Sequence, residues 1–181
     1  MRFFSGFGFF CESVLFEEWL LKGAYDVSGF SMGAINAIEY AFNEVLQERR
    51  INSLLLFSPC MLSHKQESFK RVQLLAFKKD KLGYMERFYK EAGFCKPLEQ
   101  VYGNIKRESS LEELDFLLNY KYDSYKIKFL LEKGVKIEVF VGLKDSITDI
   151  QALLEFFMPL VKVWQFKECN HLLQKESKGW K

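Results

Sequence analysis

The chain has 181 residues, 49% of them hydrophobic and 28% charged, with a net charge of +2. That balance suits one domain with a sizeable core and excludes a disordered linker protein. The near-neutral charge gives no electrostatic reason to expect nucleic acid as a partner. No uncharged apolar run reaches the length of about 18 residues that a membrane helix needs. The start, Met1 to Glu12, lacks the longer apolar stretch and cleavage site of a secretory leader.

In chain order, Arg2 to Ser5 reads as a short apolar strand running into the glycine-rich Ser5-Gly6-Phe7-Gly8-Phe9. Glu12 to Leu21 reads as a helix closed by Gly23, Tyr25 to Phe30 as a strand and Ala34 to Arg50 as a helix. In that helix Ile38, Ala41, Phe42, Val45 and Leu46 follow the spacing of a single buried stripe. Ser53 to Phe57 is a continuous apolar run, as expected of a strand covered on both faces, and Pro59 ends it. Residues 61–134 differ: they are helical in period, rich in Lys and Tyr, and hold no convincing buried strand. Ser110 and Glu113 form a capping-box pattern there, and Gly134 stops the last helix. A strand pattern returns in Val135 to Val141. Thr148 with Gln151 reads as a capping box for a helix running to Phe157, and Val161 to Phe166 is the last strand. Strands alternating with helices imply right-handed crossovers and a parallel sheet. The expected organisation is therefore an α/β core from residues 1–60 and 135–181 with a helical cap, 61–134, inserted.

The chemistry centres on Gly29-Phe30-Ser31-Met32-Gly33, with a strand before and a helix after. A strand-to-helix turn this tight requires small residues around the Ser and lifts its hydroxyl clear of the sheet, at a helix N-terminus. A serine needs a base at neutral pH, and the chain has two histidines, His64 and His171. The order nucleophile, acid, base selects His171, which follows the last strand, over His64 at the entrance to the insert. The acid should lie just past a strand end, which favours Asp145 after Val139-Phe140-Val141-Gly142. Asp149, four residues on, fits a helix start better. An oxyanion needs two N–H donors: Met32 supplies one and Phe7, in the first glycine-rich loop, is the candidate for the other. Phe9 and Phe30, with Phe7, are expected to line an apolar acyl slot. Two histidines and four scattered cysteines, Cys11, Cys60, Cys95 and Cys169, offer no metal-ligand set, and no cofactor is implied. Cysteines without a C-x-x-C suit reduced thiols and a cytoplasmic location.

Together, Ser5-Gly6-Phe7-Gly8-Phe9, Gly29-Phe30-Ser31-Met32-Gly33, Val141-Gly142-Leu143-Lys144-Asp145 and Asn170-His171 resemble the pimeloyl-ACP methyl ester carboxylesterases of biotin synthesis, in their short BioV-type form. The resemblance implies a small α/β-hydrolase fold with a mostly parallel sheet and an inserted helical cap. It also implies a Ser-Asp-His triad, a cap that receives acyl carrier protein, and release of methanol from the methyl ester of pimeloyl-acyl carrier protein. The chain departs from larger relatives in having Ser5-Gly6 where His-Gly is common, and Asn170 where Gly often precedes the catalytic His. Residues 61–106 carry a net charge of +5 while the rest of the chain is at −3. A basic lid face, with Arg71, Lys78, Lys79, Lys81 and Arg87, suits an acidic carrier protein. Two rivals share the sequence: a broad small-ester hydrolase or thioesterase with the same triad, and a binding protein on an inactive hydrolase scaffold.

Overall fold

Five strands pair in parallel, in the order in which the chain makes them: β1 (Arg2–Phe4), β2 (Asp26–Phe30), β3 (Ser53–Phe57), β4 (Lys136–Gly142) and β5 (Lys162–Phe166). This computed structural model describes residues 1–175. Seven α-helices occur among those residues: α1 (Met32–Leu46), α2 (Glu67–Lys79), α3 (Lys81–Ala92), α4 (Lys96–Tyr102), α5 (Leu111–Asn119), α6 (Ser124–Glu132) and α7 (Ile150–Phe157).

The strand sequences divide their side chains between two cores, because successive residues of a strand face opposite ways. On one face Val27, Leu54, Leu56, Ile137, Val139 and Val141 meet α1, α6 and α7. On the other, Phe30, Phe57, Phe140 and Trp164 stand at matched register across β2 to β5, as a row of aromatic rings. Phe16 stacks on Phe57 with ring centroids 4.6 Å apart, and Trp19 packs over Phe57, Phe140 and Phe166. Such cross-strand aromatic neighbours stabilise register by about 0.2–1 kcal/mol a pair.

The helix expected over Glu12–Leu21 is only a five-residue 3-10 turn, Glu12–Phe16. Leu15, Phe16 and Trp19 pack on the aromatic face from this turn and the residues just after it, where the Trp19 and Leu20 N–H groups both return to Phe16 O. This β1–β2 connection lies on the face opposite α1 yet steps the same way along the sheet. Leu46, assigned by period to the buried stripe of α1, is 52% exposed at the helix end.

Residues 61–134 hold α2 to α6 and no strand of the sheet. The capping box opening α5 is formed in full, Ser110 taking the Glu113 N–H and Glu113 the Ser110 N–H. The last helix of the segment, α6, places Ile127 and Leu130 in the core beneath α1. It thus covers the sheet, while α2, α3 and α5 pack over the aromatic face through Phe77, Phe88, Leu114 and Leu117. The cap of α7 also differs from the sequence reading. Asp149, not Thr148, accepts the Ala152 N–H. Thr148 Oγ1 instead accepts the Met61 N–H and ties the segment's entrance to the loop after β4.

Candidate active site

Ser31 sits between β2 and α1 at φ 55° and ψ −117°, a conformation that L-residues avoid. Its N–H donates to Phe57 O at 2.9 Å, so the turn begins without a break in the sheet's bonding. The flanking glycines are sterically required. A Cβ on Gly29 would lie 2.1 Å from Gly33 O, and one on Gly33 would lie 1.9 Å from Phe4 O. No larger residue fits either position with the backbone where it is. Strain of this kind costs about 1–3 kcal/mol and persists where surrounding structure enforces it.

His171 lies beyond β5, its ring 4.9 Å from that of Phe30, the residue before Ser31. Its Nδ1 is 2.6 Å from Asp145 Oδ2, and both side chains are fully buried. Asp145 is fixed in turn, its Oδ1 accepting the Ile147 and Thr148 N–H groups at 2.8 and 3.3 Å. The loops bearing the pair are in close contact: a Cβ on Gly142 would meet Asn170 O at 2.3 Å. Asn170 Oδ1 accepts the Leu172 and Gln174 N–H groups and so shapes the His171 turn. Ser31 Oγ and His171 Nε2 are buried, and neither has a hydrogen-bond partner among the described residues. A histidine held at Nδ1 by a carboxylate, with Nε2 uncommitted, is arranged to take a proton at Nε2.

The competitors occupy another place. His64 Nε2 lies 3.0 Å from Asp149, which also receives Lys65 at 2.6 Å. Those contacts, Lys65 foremost, hold the Asp149 carboxyl well below the ordinary carboxylate range. The structure thus brings Asp145 to His171 and Asp149 to His64. Cys60, also near Asp145, is fully enclosed, and burial pushes its thiol up, so it is no nucleophile at neutral pH.

Among the described residues the Phe7 and Met32 amides meet no acceptor. Phe7 also lines a cavity of about 280 Å³ among α2, α3, α5 and the loop after β4, together with Val72, Gln73, Glu91, Leu117 and Ile147; Ser31 and His171 do not line it. Phe9 and Phe30, expected beside Phe7 in that slot, do not line it. Both are fully buried, with Phe9 wedged among Phe30, Phe88, Tyr89 and Phe94, and Phe30 against Phe16 and His171. An alternating run at the mouth of a loop does not reveal which rings a covering layer will enclose. Of the basic residues, Arg71, Lys78 and Lys79 on α2 and Arg87 on α3 are exposed. Lys81, opening α3, lies 3.6 Å from Glu108, and Arg87 reaches the cavity wall. Among the described residues no group of three His, Cys, Asp or Glu side chains could hold a metal ion, and no helix is long and apolar enough to cross a membrane.

One buried acid went unread in the sequence. Glu12, at the start of the helix expected over Glu12 to Leu21, accepts the Gly6 N–H at 2.7 Å behind the Phe7 loop. The only local signal was a lone carboxylate following Phe9-Phe10-Cys11.

No protein-family model matches the sequence, and no curated protein matches it. Solved structures do. An esterase from Exiguobacterium antarcticum superposes with a TM-score of 0.62 at 17% identity, over 81% of this chain and 59% of that protein. The chain thus spans well under two thirds of that esterase. A lipase-esterase related protein from Clostridium acetobutylicum gives 0.65 at 12% identity, over 95% and 86%. BioG from Haemophilus influenzae gives 0.58 at 13% identity, over 94% and 87%. The chain shares the α/β-hydrolase fold of these structures, a parallel five-stranded sheet with flanking helices.

Proposed function

We propose that the chain is a serine carboxylesterase with Ser31 as nucleophile, His171 as base and Asp145 as the acid that orients it. The observation that carries this reading is the buried 2.6 Å contact between His171 and Asp145, next to a serine held at a strained elbow. Asp145 keeps the imidazole proton on Nδ1 and stabilises the imidazolium. His171 Nε2 takes the Ser31 proton as Oγ attacks the ester carbonyl, and the Phe7 and Met32 amides hold the oxyanion. His171 then protonates the departing alcohol, and water cleaves the acyl-Ser31 by the reverse transfers. Ser31 is 1% exposed and His171 0%, so the chain around them must shift before an ester reaches them.

The substrate that fits best is the methyl ester of pimeloyl-acyl carrier protein, giving pimeloyl-acyl carrier protein and methanol, as the resemblance in the motifs implies. The cavity beside Phe7, with Val72, Leu117 and Ile147 on its apolar side, would take an acyl chain. Phe69 and Val72 of α2 and Arg87 of α3 are exposed where they line the cavity, and the exposed Arg71, Lys78 and Lys79 elsewhere on α2 add positive charge that would attract an acidic carrier. On this reading α2 to α5 are the working part of the cap, and the protein acts in the cytoplasm without a cofactor. Mass spectrometry of methyl-pimeloyl carrier protein after incubation tests it. The carrier should lose the mass of one methylene with wild type and stay intact with Ser31→Ala. An unchanged carrier beside rapid cleavage of small soluble esters would support a broad esterase instead.

A further inference from the structure

Glu12 is fully buried although a carboxylate loses much by leaving water. One of its oxygens accepts the Gly6 N–H at 2.7 Å, and the other, Oε2, has no hydrogen-bond partner among the described residues. Burial pushes its carboxyl up, against the Gly6 N–H, the Ser5 hydroxyl and the Arg107 charge, which favour the ionised form. Such a group persists where its one good bond is needed.

That bond holds the loop bearing Phe7. Gly6 is pressed against Phe30, where a Cβ would lie 2.7 Å from Cδ1, so the loop has no room to slide. Gly6 C=O accepts the Phe9 N–H at 3.2 Å. In a planar trans peptide the carbonyl and the following N–H point in opposite directions. Fixing Gly6 C=O toward Phe9 therefore turns the Phe7 N–H the other way, where it meets no acceptor. The far end is pinned from the insert: Gly8 C=O accepts the Tyr89 hydroxyl at 2.7 Å and the Arg107 N–H at 2.9 Å. Arg107 Nε donates to Phe9 O at 2.9 Å.

We propose that Glu12 is a positioning residue for the oxyanion site, its buried carboxylate anchoring Gly6 so that the Phe7 N–H faces the reacting carbonyl while Tyr89 and Arg107 hold Gly8. This rests on the hydrolase reading of Ser31 and His171. The test compares Glu12→Asp, Glu12→Met and Glu12→Gln. The aspartate is one methylene too short to reach Gly6, the methionine fills the space without an acceptor, and the glutamine restores the acceptor. In the first two, kcat should fall about tenfold or more, part of the 10²–10³-fold lost when an oxyanion donor is removed outright. KM should stay near wild type, and affinity for a boronic acid that mimics the tetrahedral adduct should fall in parallel with kcat. Glu12→Gln should recover most of the loss. Amide NMR of the Gly6 to Gly8 signals needs no turnover: exchange broadening should appear in Glu12→Asp and be absent in wild type and Glu12→Gln. If Glu12→Met fails to fold, Glu12→Asp still decides. Wild-type kcat and quiet amides in a folded Glu12→Asp overturn the proposal, as does a loss confined to KM. A wild-type protein that cleaves no ester overturns the hydrolase reading instead, and the amide spectra still judge Glu12.

Discussion

Replacing Asp145 by Asn changes one atom of the His171 pair and keeps its shape. Asp145 Oδ1 accepts the Ile147 and Thr148 N–H groups, a duty the Asn carbonyl can take over. The Asn NH₂ then falls where Oδ2 now stands, 2.6 Å from His171 Nδ1. A donor there forces Nδ1 to accept, so the ring proton moves to Nε2 and blocks it as a base. With both side chains fully enclosed, no water can repair the pairing. The expected loss is about 10⁴-fold in kcat, the size found when a buried triad carboxylate becomes an amide. At 1.36 kcal/mol per tenfold this is about 5.4 kcal/mol of transition-state stabilisation. Asp149→Asn should stay within about tenfold of wild type, because an Asn there still caps α7 and its lost ion pairs are worth only about 0.2–1 kcal/mol each. The assay is steady-state hydrolysis of a short soluble ester by both variants, with circular dichroism to confirm folding. Equal losses in the two, or a dead Asp149→Asn beside an active Asp145→Asn, would refute the assignment.

Gly33→Ala places a methyl group 1.9 Å from Phe4 O and 2.7 Å from Ser5 O, both backbone atoms, so β1 and the Phe7 loop must move. Urea unfolding should show a loss of about 1–3 kcal/mol or more, with kcat falling further than that alone requires. Reversing Lys78, Lys79 and Lys81 to Glu should lower kcat/KM on methyl-pimeloyl carrier protein about tenfold or more and spare a short ester. Added salt should mimic that effect in wild type. Asp149 has its pKa depressed below an ordinary 3.8, chiefly by Lys65, then the Ala152 N–H and His64. Its contribution is therefore present above the unfolded value and lost as pH falls below it. Urea titrations should show wild type losing its small advantage over Asp149→Asn on acidification below about pH 4.

The serine turn was legible because its requirements are local: Gly29 and Gly33 are forced by contacts within the turn and with the adjoining β1 end. The choice of His171 and Asp145 followed from chain order and strand ends, since parallel strands deliver their C-terminal loops to one edge. What was illegible depended on packing between distant segments. Whether Phe9 lines a cavity or fills a core is decided by Phe88, Tyr89 and Phe94 of the insert, roughly eighty residues away in sequence, and Phe30 is enclosed by Phe9, Phe16 and His171. Glu12–Leu21 carries a helical period but forms only the turn Glu12–Phe16. The insert's last helix has the same local pattern as its neighbours, and only Ile127 and Leu130 meeting α1 assign it to the sheet. Glu12 was hidden for a similar reason: its meaning lies in the Gly6 amide it meets, and a helix-first reading sends it to solvent.

In the proposed mechanism Ser31 is a nucleophile activated by His171. Incubation with a fluorophosphonate, followed by intact-mass and peptide mass spectrometry, tests it without assuming any substrate. A single phosphonyl adduct on the peptide containing Ser31, absent from Ser31→Ala and nearly absent from a folded His171→Ala, is the expected result. No adduct on the wild-type protein, or an adduct that survives in Ser31→Ala, would contradict it.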